Sequence, residues 1–448
     1  MNSLGIKAAI STQGYNIESN RKTYSVAYDN GMWSRLKNKK ALLDNIAYGR
    51  TVAFRMITDN LNYSTSLPFF KKFLDEGVAR DIPKVADSRN QSTKALIAAF
   101  NKNKVAFADD KTEAMLFDFD YADENKALLG MSFGKDCLLT FGIASEIGMD
   151  VTPIFISDMQ DYNVKELEYK KKIMQEFMKQ FSKKVVMISD NTDSVYYDES
   201  IPGNYSSFDE INAMFQFAMQ LLTVAHSTAS KYIMFGNEQN HNDTYKNRDG
   251  FKTYPCGDQA SDYMVGLNKS LLKFTSGNNQ VMSLIEPLYN LGEMQLLKSR
   301  YSQFLPLIMS CSAKDLDKSR WCSNCPMCAK FYAFCLAVGI DVRQFGFMDN
   351  MLRKKYAELF PLFNENPKRP YEKPKEQRDE QLLTFYLAYK NGAQGELIDE
   401  FKQRFLKEAK EREEELRKKF LGIHPSPSIP DKIRKHVVSI YKEELSKI

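Results

Sequence analysis

The feature that most constrains the fold is an alternation of strand-like and helix-like stretches between about residues 125 and 350. The predicted strands are Ala127 to Ser132, Val151 to Ser157, Lys184 to Ser189, Lys231 to Gly236 and Gln280 to Glu286. The predicted helices include Cys137 to Gly148, Val164 to Phe181, Phe208 to Ser227 and Leu291 to Leu307. Strands that take turns with helices are typical of a parallel sheet covered on both faces. We therefore expect a doubly wound α/β domain, with its ligand at the carboxyl ends of the strands.

The chain on either side of this domain is predicted to form two further units, which gives the division 1–122, 123–350 and 351–448. The first unit is expected to be an accessory α+β domain. Its predicted strands are Thr23 to Tyr28 and Leu116 to Tyr121. Its predicted helices are Asn38 to Asn62 and Pro68 to Gly77.

The third unit is predicted to be a helical extension. Asn364 to Asp379 contains three prolines among many charges and indicates a linker or an exposed connection. Glu380 to Gly422 has apolar residues along one helical face and glutamates four residues before basic side chains. We interpret this run of charges as a solvated helix face.

Composition narrows the class of protein. The 448 residues carry a formal net charge of only +5, which argues against nucleic acid as the main partner. No apolar stretch approaches the roughly 20 residues that span a bilayer, and the N-terminus lacks the apolar core of a secretory signal. Seven cysteines, unevenly spread, fit reduced thiols and a metal site better than a disulfide framework. We expect a cytoplasmic protein without a membrane partner.

A short polar turn, MSFGKDC (131–137), lies between the first predicted strand and its helix. Backbone N–H groups in such a turn converge on one point at a helix N-terminus and favour an anion. Lys135 adds a charge suited to phosphate and Ser132 adds a hydroxyl donor, while Asp136 could hold Mg²⁺ or hydrogen-bond the loop. The turn is not a Walker A loop, because Leu129 occupies the first glycine position and Asp136 follows the lysine.

Two other interpretations of this turn stay open from the residues alone. The chain could simply need a tight turn at Gly134. Alternatively, Cys137 could be a nucleophile, because a thiol at a helix N-terminus has a lowered pKa.

A cysteine cluster follows near residue 320, in the order C-x10-C-x2-C-x2-C. Two-residue gaps let thiolates converge on one ion, and four thiolates complete a tetrahedral zinc site. The predicted metal ligands are Cys311, Cys322, Cys325 and Cys328. An iron–sulfur cluster is the main alternative, and buried thiols are another. Cys335 is predicted to be a core residue.

Ser132, Gly134, Lys135 and Asp136 resemble the S-G-G-x-D-S signature of the PP-loop ATP pyrophosphatases, with Phe133 in place of a glycine and Cys137 in place of the closing serine. Together with the late cysteine cluster, the loop resembles the cyano-deazaguanine synthases of the queuosine pathway, and DGFKTYPCGDQ (249–259) matches part of their sequence. The segments GNEQN (236–240), SLIEPLYN (283–290) and RWCSNCPMCAKF (320–331) resemble the branch that epimerises UDP-N-acetylmuramoyl-L-alanyl-L-glutamate.

The resemblance implies a HUP-type, Rossmann-like PP-loop domain that uses ATP with Mg²⁺ and carries a structural Zn²⁺. It implies catalytic roles for Lys135 and Asp136. The nucleotide-binding residues are then Ser132, Phe133, Gly134, Lys135, Asp136 and Cys137, to which we add Asp158 at a predicted strand end. The expected substrate-binding residues are Asn237, Glu238, Gln239, Asn240, Tyr254 and Asp258.

We therefore expect an enzyme that cleaves ATP to AMP and pyrophosphate and activates the carboxylate of a small-molecule or peptide-like acid. The reaction would be of the ligase or isomerase type. Two alternatives remain open: a non-catalytic nucleotide-binding protein of the same fold, and a nucleic-acid-associated zinc protein. A homodimer is compatible with each.

Overall fold

The computed structural model describes residues 3–29, 31–117, 119–158, 164–199, 201, 205–311 and 319–447. Its strands are β1 Leu4–Ile10, β2 Gly14–Ser19, β3 Lys22–Tyr28, β4 Asn60–Tyr63, β5 Lys104–Ala106, β6 Asp123–Gly130, β7 Asp150–Asp158, β8 Val186–Asp190, β9 Ser230–Met234, β10 Tyr245–Lys246, β11 Lys252–Thr253 and β12 Gln280–Met282.

Its helices fall into three groups along the chain. The first eight are α1 Met32–Arg35, α2 Lys39–Thr51, α3 Lys71–Arg89, α4 Thr93–Lys102, α5 Lys135–Glu146, α6 Val164–Phe181, α7 Ala213–Thr228 and α8 Ser261–Phe274. The next two are α9 Asn290–Ser299 and α10 Pro326–Val338. The C-terminal group is α11 Lys375–Lys390, α12 Glu396–Arg404, α13 Leu406–Glu411, α14 Glu413–Phe420 and α15 Asp431–Leu445. Within these described residues, no helix is long and apolar enough to cross a membrane.

The predicted parallel α/β sheet is confirmed. Five strands pair in parallel in the order β12-β9-β6-β7-β8. Numbered by their order in the chain, these strands read 3-2-1-4-5 from β8, which is typical of a Rossmann-like doubly wound sheet. The chain reverses direction across the sheet between β6 and β9. Ligands bind at this switch point in such folds, outside the carboxyl ends of the strands.

The central strands are buried on both faces, as parallel strands between helices are. On β6, Ala127 and Leu129 belong to the core under α5, α9 and α10, whereas Leu128 belongs to the core under α2, α3 and α7. A near-continuous apolar run before Gly130 therefore produces a rigid strand whose end fixes the start of the polar turn.

The N-terminal strands extend this sheet. β3 pairs antiparallel with β8, and the order continues through β2, β1, β4 and β5, which makes ten strands in one sheet. The strand prediction at Thr23 to Tyr28 is confirmed by β3. The strand prediction at Leu116 to Tyr121 is wrong for the residues that are described there: Phe117 packs against Phe119 and His226 instead of pairing with a strand.

Three further predictions differ from the structure. The helix predicted to Asn62 ends at Thr51, passes through a 3₁₀ turn and gives way to β4. The predicted linker is packed, because Glu372 is buried and Lys373 Nζ lies 2.7 Å from Asp87 Oδ2. The predicted long C-terminal helix is divided into α11 to α14.

Candidate functional site

A cavity of about 530 Å³ opens at the carboxyl ends of the parallel strands. Four of the predicted site residues line it together: Ser132, Asp136, Cys137 and Asn237. Apolar side chains also line it, among them Ile154 and Ile156 from β7 and Phe217 from α7. The volume lies within the range of ordinary small-molecule sites, and a lining with both polar and apolar side chains suits a ligand of mixed character.

The polar turn holds its shape through Phe133. Its φ is +59°, the left-handed conformation that glycine adopts without cost. The ring is fully buried and packs against Phe155 and Phe177, with ring centroids 6.1 and 5.9 Å away. The Phe133 ring is therefore part of the core, and its packing offsets the strain of its backbone.

The turn leads directly into α5. Gly134 is the residue before the helix, and its amide donates a hydrogen bond to Ser132 Oγ at 3.4 Å. Cys137 Sγ lies 3.3 Å from the Gly134 carbonyl oxygen, inside the helix start. Burial raises the pKa of the Cys137 thiol, with the Ser132 hydroxyl opposing the shift. A raised pKa argues against Cys137 as the activated nucleophile.

Lys135 lies in a buried cluster of carboxylates. Its Nζ contacts Asp136 Oδ1, lies 2.8 Å from Glu238 Oε2 and lies 2.5 Å from Glu293 Oε2. Burial opposes the charge on Lys135, but the three carboxylates outweigh it and raise its pKa well above the usual range. Because Asp136 also lines the cavity, the cluster is continuous with the cavity wall.

The carboxylates respond differently to the lysine. Burial alone would raise the pKa of Glu238, but Lys135, Lys330 and His241 outweigh it and hold the pKa below its usual range. Burial raises the pKa of Glu293 well above its usual range, although Lys135 opposes this. Oxygens of Asp136, Glu238 and Glu293 lie within 4.8 Å of one another, a spacing that could hold a metal ion.

A second buried lysine, Lys170, contacts the turn and also lines the cavity. Lys170 on α6 is buried, and its Nζ donates hydrogen bonds to the Ser132 carbonyl oxygen and, at 2.6 Å, to the Met309 carbonyl oxygen. The Met309 amide donates to the Phe133 carbonyl oxygen at 2.8 Å. The segment that carries Cys311 is thereby tied to the polar turn.

The four predicted metal ligands converge. The Sγ atoms of Cys311 and Cys325 lie 4.0 Å apart, and those of Cys322 and Cys328 lie 3.7 Å apart. All four sulfurs lie within 4.8 Å of one another. A tetrahedral zinc with Zn–S bonds of about 2.3 Å requires sulfurs roughly 3.8 Å apart, so the cluster could hold a metal such as zinc. An iron–sulfur cluster would need more room between the thiolates.

Backbone N–H groups donate hydrogen bonds to the sulfurs of this four-cysteine cluster. The amide of Asn324 donates to Cys322 Sγ at 3.4 Å, and the amide of Cys328 donates to Cys325 Sγ at 3.4 Å. Ser323, between them, adopts φ +54°, which turns the chain tightly around the site. Cys335 is fully buried in α10, as expected for a core residue.

The remaining predicted residues lie around the cavity or away from it. Gln239 and Asn240 form a 3₁₀ turn after β9. The Arg80 guanidinium lies over the Tyr254 ring, with its Cζ atom 3.7 Å from the ring centroid. Asp258 accepts a hydrogen bond from the Met214 amide at 2.9 Å. Neither Tyr254 nor Asp258 is among the residues that line the cavity. The side chain of Asp158 lies outside the described part of the chain.

Three polar residues of this region were missed from the sequence. Glu293 is the single acidic residue in the otherwise uncharged stretch 288–297, and this isolation was a usable signal. Lys170 stands among other lysines of α6, and nothing local distinguishes it. Asp190 lines the cavity at the end of β8, one residue beyond the predicted strand.

Neither the scan against protein-family models nor the search of curated proteins matched this chain.

Proposed function

We propose that the protein is an AMP-forming ATP pyrophosphatase of the PP-loop type, with a HUP-type domain, that activates the carboxylate of a small-molecule or peptide-like acid. The observation that carries the proposal is the passage from β6 to α5. This passage places the Ser132 hydroxyl, the N-terminus of α5 and the Asp136 carboxylate beside a cavity at the sheet's switch point.

The polar and apolar parts of the cavity lining suit the phosphates and the base of ATP, respectively. Ser132 and the start of α5 offer donors to phosphate oxygens, and a helix N-terminus favours negative charge. Ile154, Ile156 and Phe217 offer an apolar wall to the base. The acceptor acid would then lie toward Asn237, at the end of β9, where its oxygen can approach the α-phosphate.

In this mechanism the chain acts mainly by position and charge. An acceptor carboxylate attacks the α-phosphorus, the bond to the bridging oxygen breaks, and pyrophosphate leaves with the electron pair. The amides at the start of α5 stabilise the charge on the departing group. The Lys135 ammonium contacts Asp136, which lines the cavity, and its charge would add to this stabilisation.

Mg²⁺ and Zn²⁺ have different places in the proposal. Asp136 offers a carboxylate oxygen at the cavity wall, the ligand type that Mg²⁺ prefers, and bound Mg²⁺ neutralises phosphate charge. The four cysteines would hold Zn²⁺ in a closed, structural site, because no coordination position remains for a substrate.

The test is product analysis with purified protein, ATP, Mg²⁺ and a fractionated small-molecule extract. We expect AMP and pyrophosphate in equal amounts with an active fraction. Lys135→Met and Asp136→Asn should each lower turnover by at least about a hundredfold, as the loss of a charge-stabilising group does. Lys183→Met is the matched control, because Lys183 pairs with Asp150 at the surface.

ADP and phosphate as products would contradict the proposal. So would full activity in both variants. ATP binding without pyrophosphate release across all fractions would instead support the non-catalytic alternative.

A further inference from the structure

The position of Lys135 in the turn predicts that its ammonium contacts phosphate, but in the structure the ammonium contacts carboxylates. It lies among Asp136, Glu238 and Glu293, with contacts to all three carboxylates. A lysine that only bound phosphate would not need three acidic partners. The Lys135 ammonium contacts only one oxygen of each carboxylate, so further ligand oxygens remain in the cluster for a cation.

The Glu293 side chain points to the same conclusion independently. It is 0% exposed, and its Oε1 has no hydrogen-bond partner within the part of the chain that the structure describes. A buried carboxylate oxygen without a donor is costly. A divalent cation at this position would give that oxygen a ligand bond.

The geometry suits a hard divalent ion. Oxygens from the three carboxylates lie within 4.8 Å of one another, and they come from three separate parts of the chain: α5, the segment after β9, and α9. Mg²⁺ and Mn²⁺ take oxygen ligands at about 2.1 Å, so oxygens up to about 4.2 Å apart can share one ion after small side-chain adjustments.

We propose that Asp136, Glu238 and Glu293 form a divalent-cation site held by the protein itself, and that the Lys135 ammonium is its counter-ion until a metal enters. The entering ion displaces Lys135, which swings toward the cavity that Asp136 lines. Metal binding thus creates a free ammonium at the phosphate end. The first half of this inference needs no nucleotide, and the second half rests on the proposed function.

Mn²⁺ binding to the zinc-loaded protein, without nucleotide, tests the first half. The free Mn²⁺ signal in electron paramagnetic resonance should reveal one site per chain. Glu293→Gln should weaken Mn²⁺ binding at least tenfold, because it removes a charged ligand. Glu124→Gln, an exposed carboxylate on β6, is the matched control and should bind as the wild type does.

Lys135→Met separates this inference from a merely structural lysine. With its competitor removed, the site should bind Mn²⁺ several-fold more tightly than the wild type. Unchanged or weaker binding in a folded Lys135→Met protein would overturn the exchange, and absence of a nucleotide-independent site in the wild type would overturn the whole inference.

A measurement on the wild type covers the case in which Lys135→Met does not fold. Reductive methylation followed by peptide mass spectrometry should show Lys135 protected without metal and at least several-fold more reactive with Mg²⁺. Lys183 should not change. Equal reactivity of Lys135 in both conditions would contradict the exchange. Because neither assay uses ATP, an inactive pyrophosphatase with a normal metal response would reject the proposed function alone.

Discussion

At the scale of single residues, Gly236 sets how closely β9 approaches the polar turn. A Cβ atom at this position would lie 2.7 Å from Asp136 Cβ and 3.2 Å from the Cys137 amide nitrogen. We expect Gly236→Ala to push the start of α5 away, to destabilise the protein by about 1–3 kcal/mol as overpacking does, and to weaken ATP binding at least about tenfold.

Calorimetric titration with ATP and a thermal melt would measure both effects. Gly5→Ala is the control, because its Cβ would meet nothing within 4 Å. Wild-type ATP affinity in Gly236→Ala would place the nucleotide elsewhere in the molecule.

A buried acid near the site makes stability depend on pH. Asp243 Oδ1 accepts a hydrogen bond from the Tyr289 hydroxyl at 2.8 Å, and burial raises the Asp243 pKa to about 8. In the unfolded chain this carboxyl titrates near 4. Between these values the folded protein holds one more proton than the unfolded chain. The free energy of unfolding therefore falls as pH rises, by at most about 1.4 kcal/mol per pH unit from this group.

Asp243→Asn should remove that slope, so that the variant gains stability relative to the wild type from pH 5 to pH 7. Urea unfolding at three pH values would measure the difference. Asp399→Asn alters an exposed carboxylate and should leave the slope unchanged. Parallel curves for Asp243→Asn and the wild type would show that Asp243 is ionised in the folded protein.

The sequence was informative about the residues whose chemistry is local. The turn and the four cysteines could be identified from spacing, because each set lies within a stretch of fewer than twenty residues. Glu238 was predicted as a substrate residue, but its bond to Lys135 joins positions about a hundred residues apart. The spacing of residues along the chain does not predict such a contact.

At the scale of elements, the connection between the four-cysteine cluster and the polar turn predicts a functional coupling. Lys170 donates hydrogen bonds to the carbonyl oxygens of Ser132 and Met309. Met309 lies two residues before Cys311 in the sequence. We expect Lys170→Met to loosen the turn and weaken ATP binding at least about tenfold, since two buried carbonyl groups lose a charged donor. Zinc content should stay at the wild-type level.

Lys171→Met is a matched control on the same helix, where Lys171 is exposed. Removing the metal with a chelator should weaken ATP binding in the wild type as well, because Met309 then loses its anchor at Cys311. Unchanged ATP affinity after complete metal removal would separate the two sites.

Element types within the central sheet were predictable, because buried strands and amphipathic helices repeat with clear periods. The helix predicted at Val164 to Phe181 has the same bounds as α6. Leu116 to Tyr121 shows the opposite case. Its alternating aromatic residues satisfy the strand period, but Phe117 and Phe119 find a partner in His226 of α7. Periodicity identifies a face to be buried and does not identify what buries it.

At the scale of the whole molecule, the N-terminal region extends the sheet and contacts two residues of the cavity wall. β3 pairs with β8 over a sequence distance of about 160 residues, and Arg50 from α2 lies against Asp190 and Asp193. Both aspartates line the cavity. The division at residue 122 stays a prediction, but this pairing could not have been read from the sequence, because either edge of the central sheet would have accepted a strand.

The continuous sheet predicts that the two ends of the molecule unfold together. The chain has two tryptophans, Trp33 in the N-terminal region and Trp321 beside the metal centre. Trp33 stacks on Tyr28, and Trp321 stacks on Phe331.

Trp321→Phe leaves Trp33 as the reporter, and Trp33→Phe leaves Trp321. Because separating β3 from β8 would expose two buried strand edges, we expect the fluorescence midpoints in urea to agree within each variant with the loss of helical circular dichroism. Each substitution changes the stability of the protein, and circular dichroism measures that change. After this change is subtracted, the two variants should have the same urea midpoint. An early Trp33 transition with helical signal retained would show instead that residues 1–122 unfold as an independent domain.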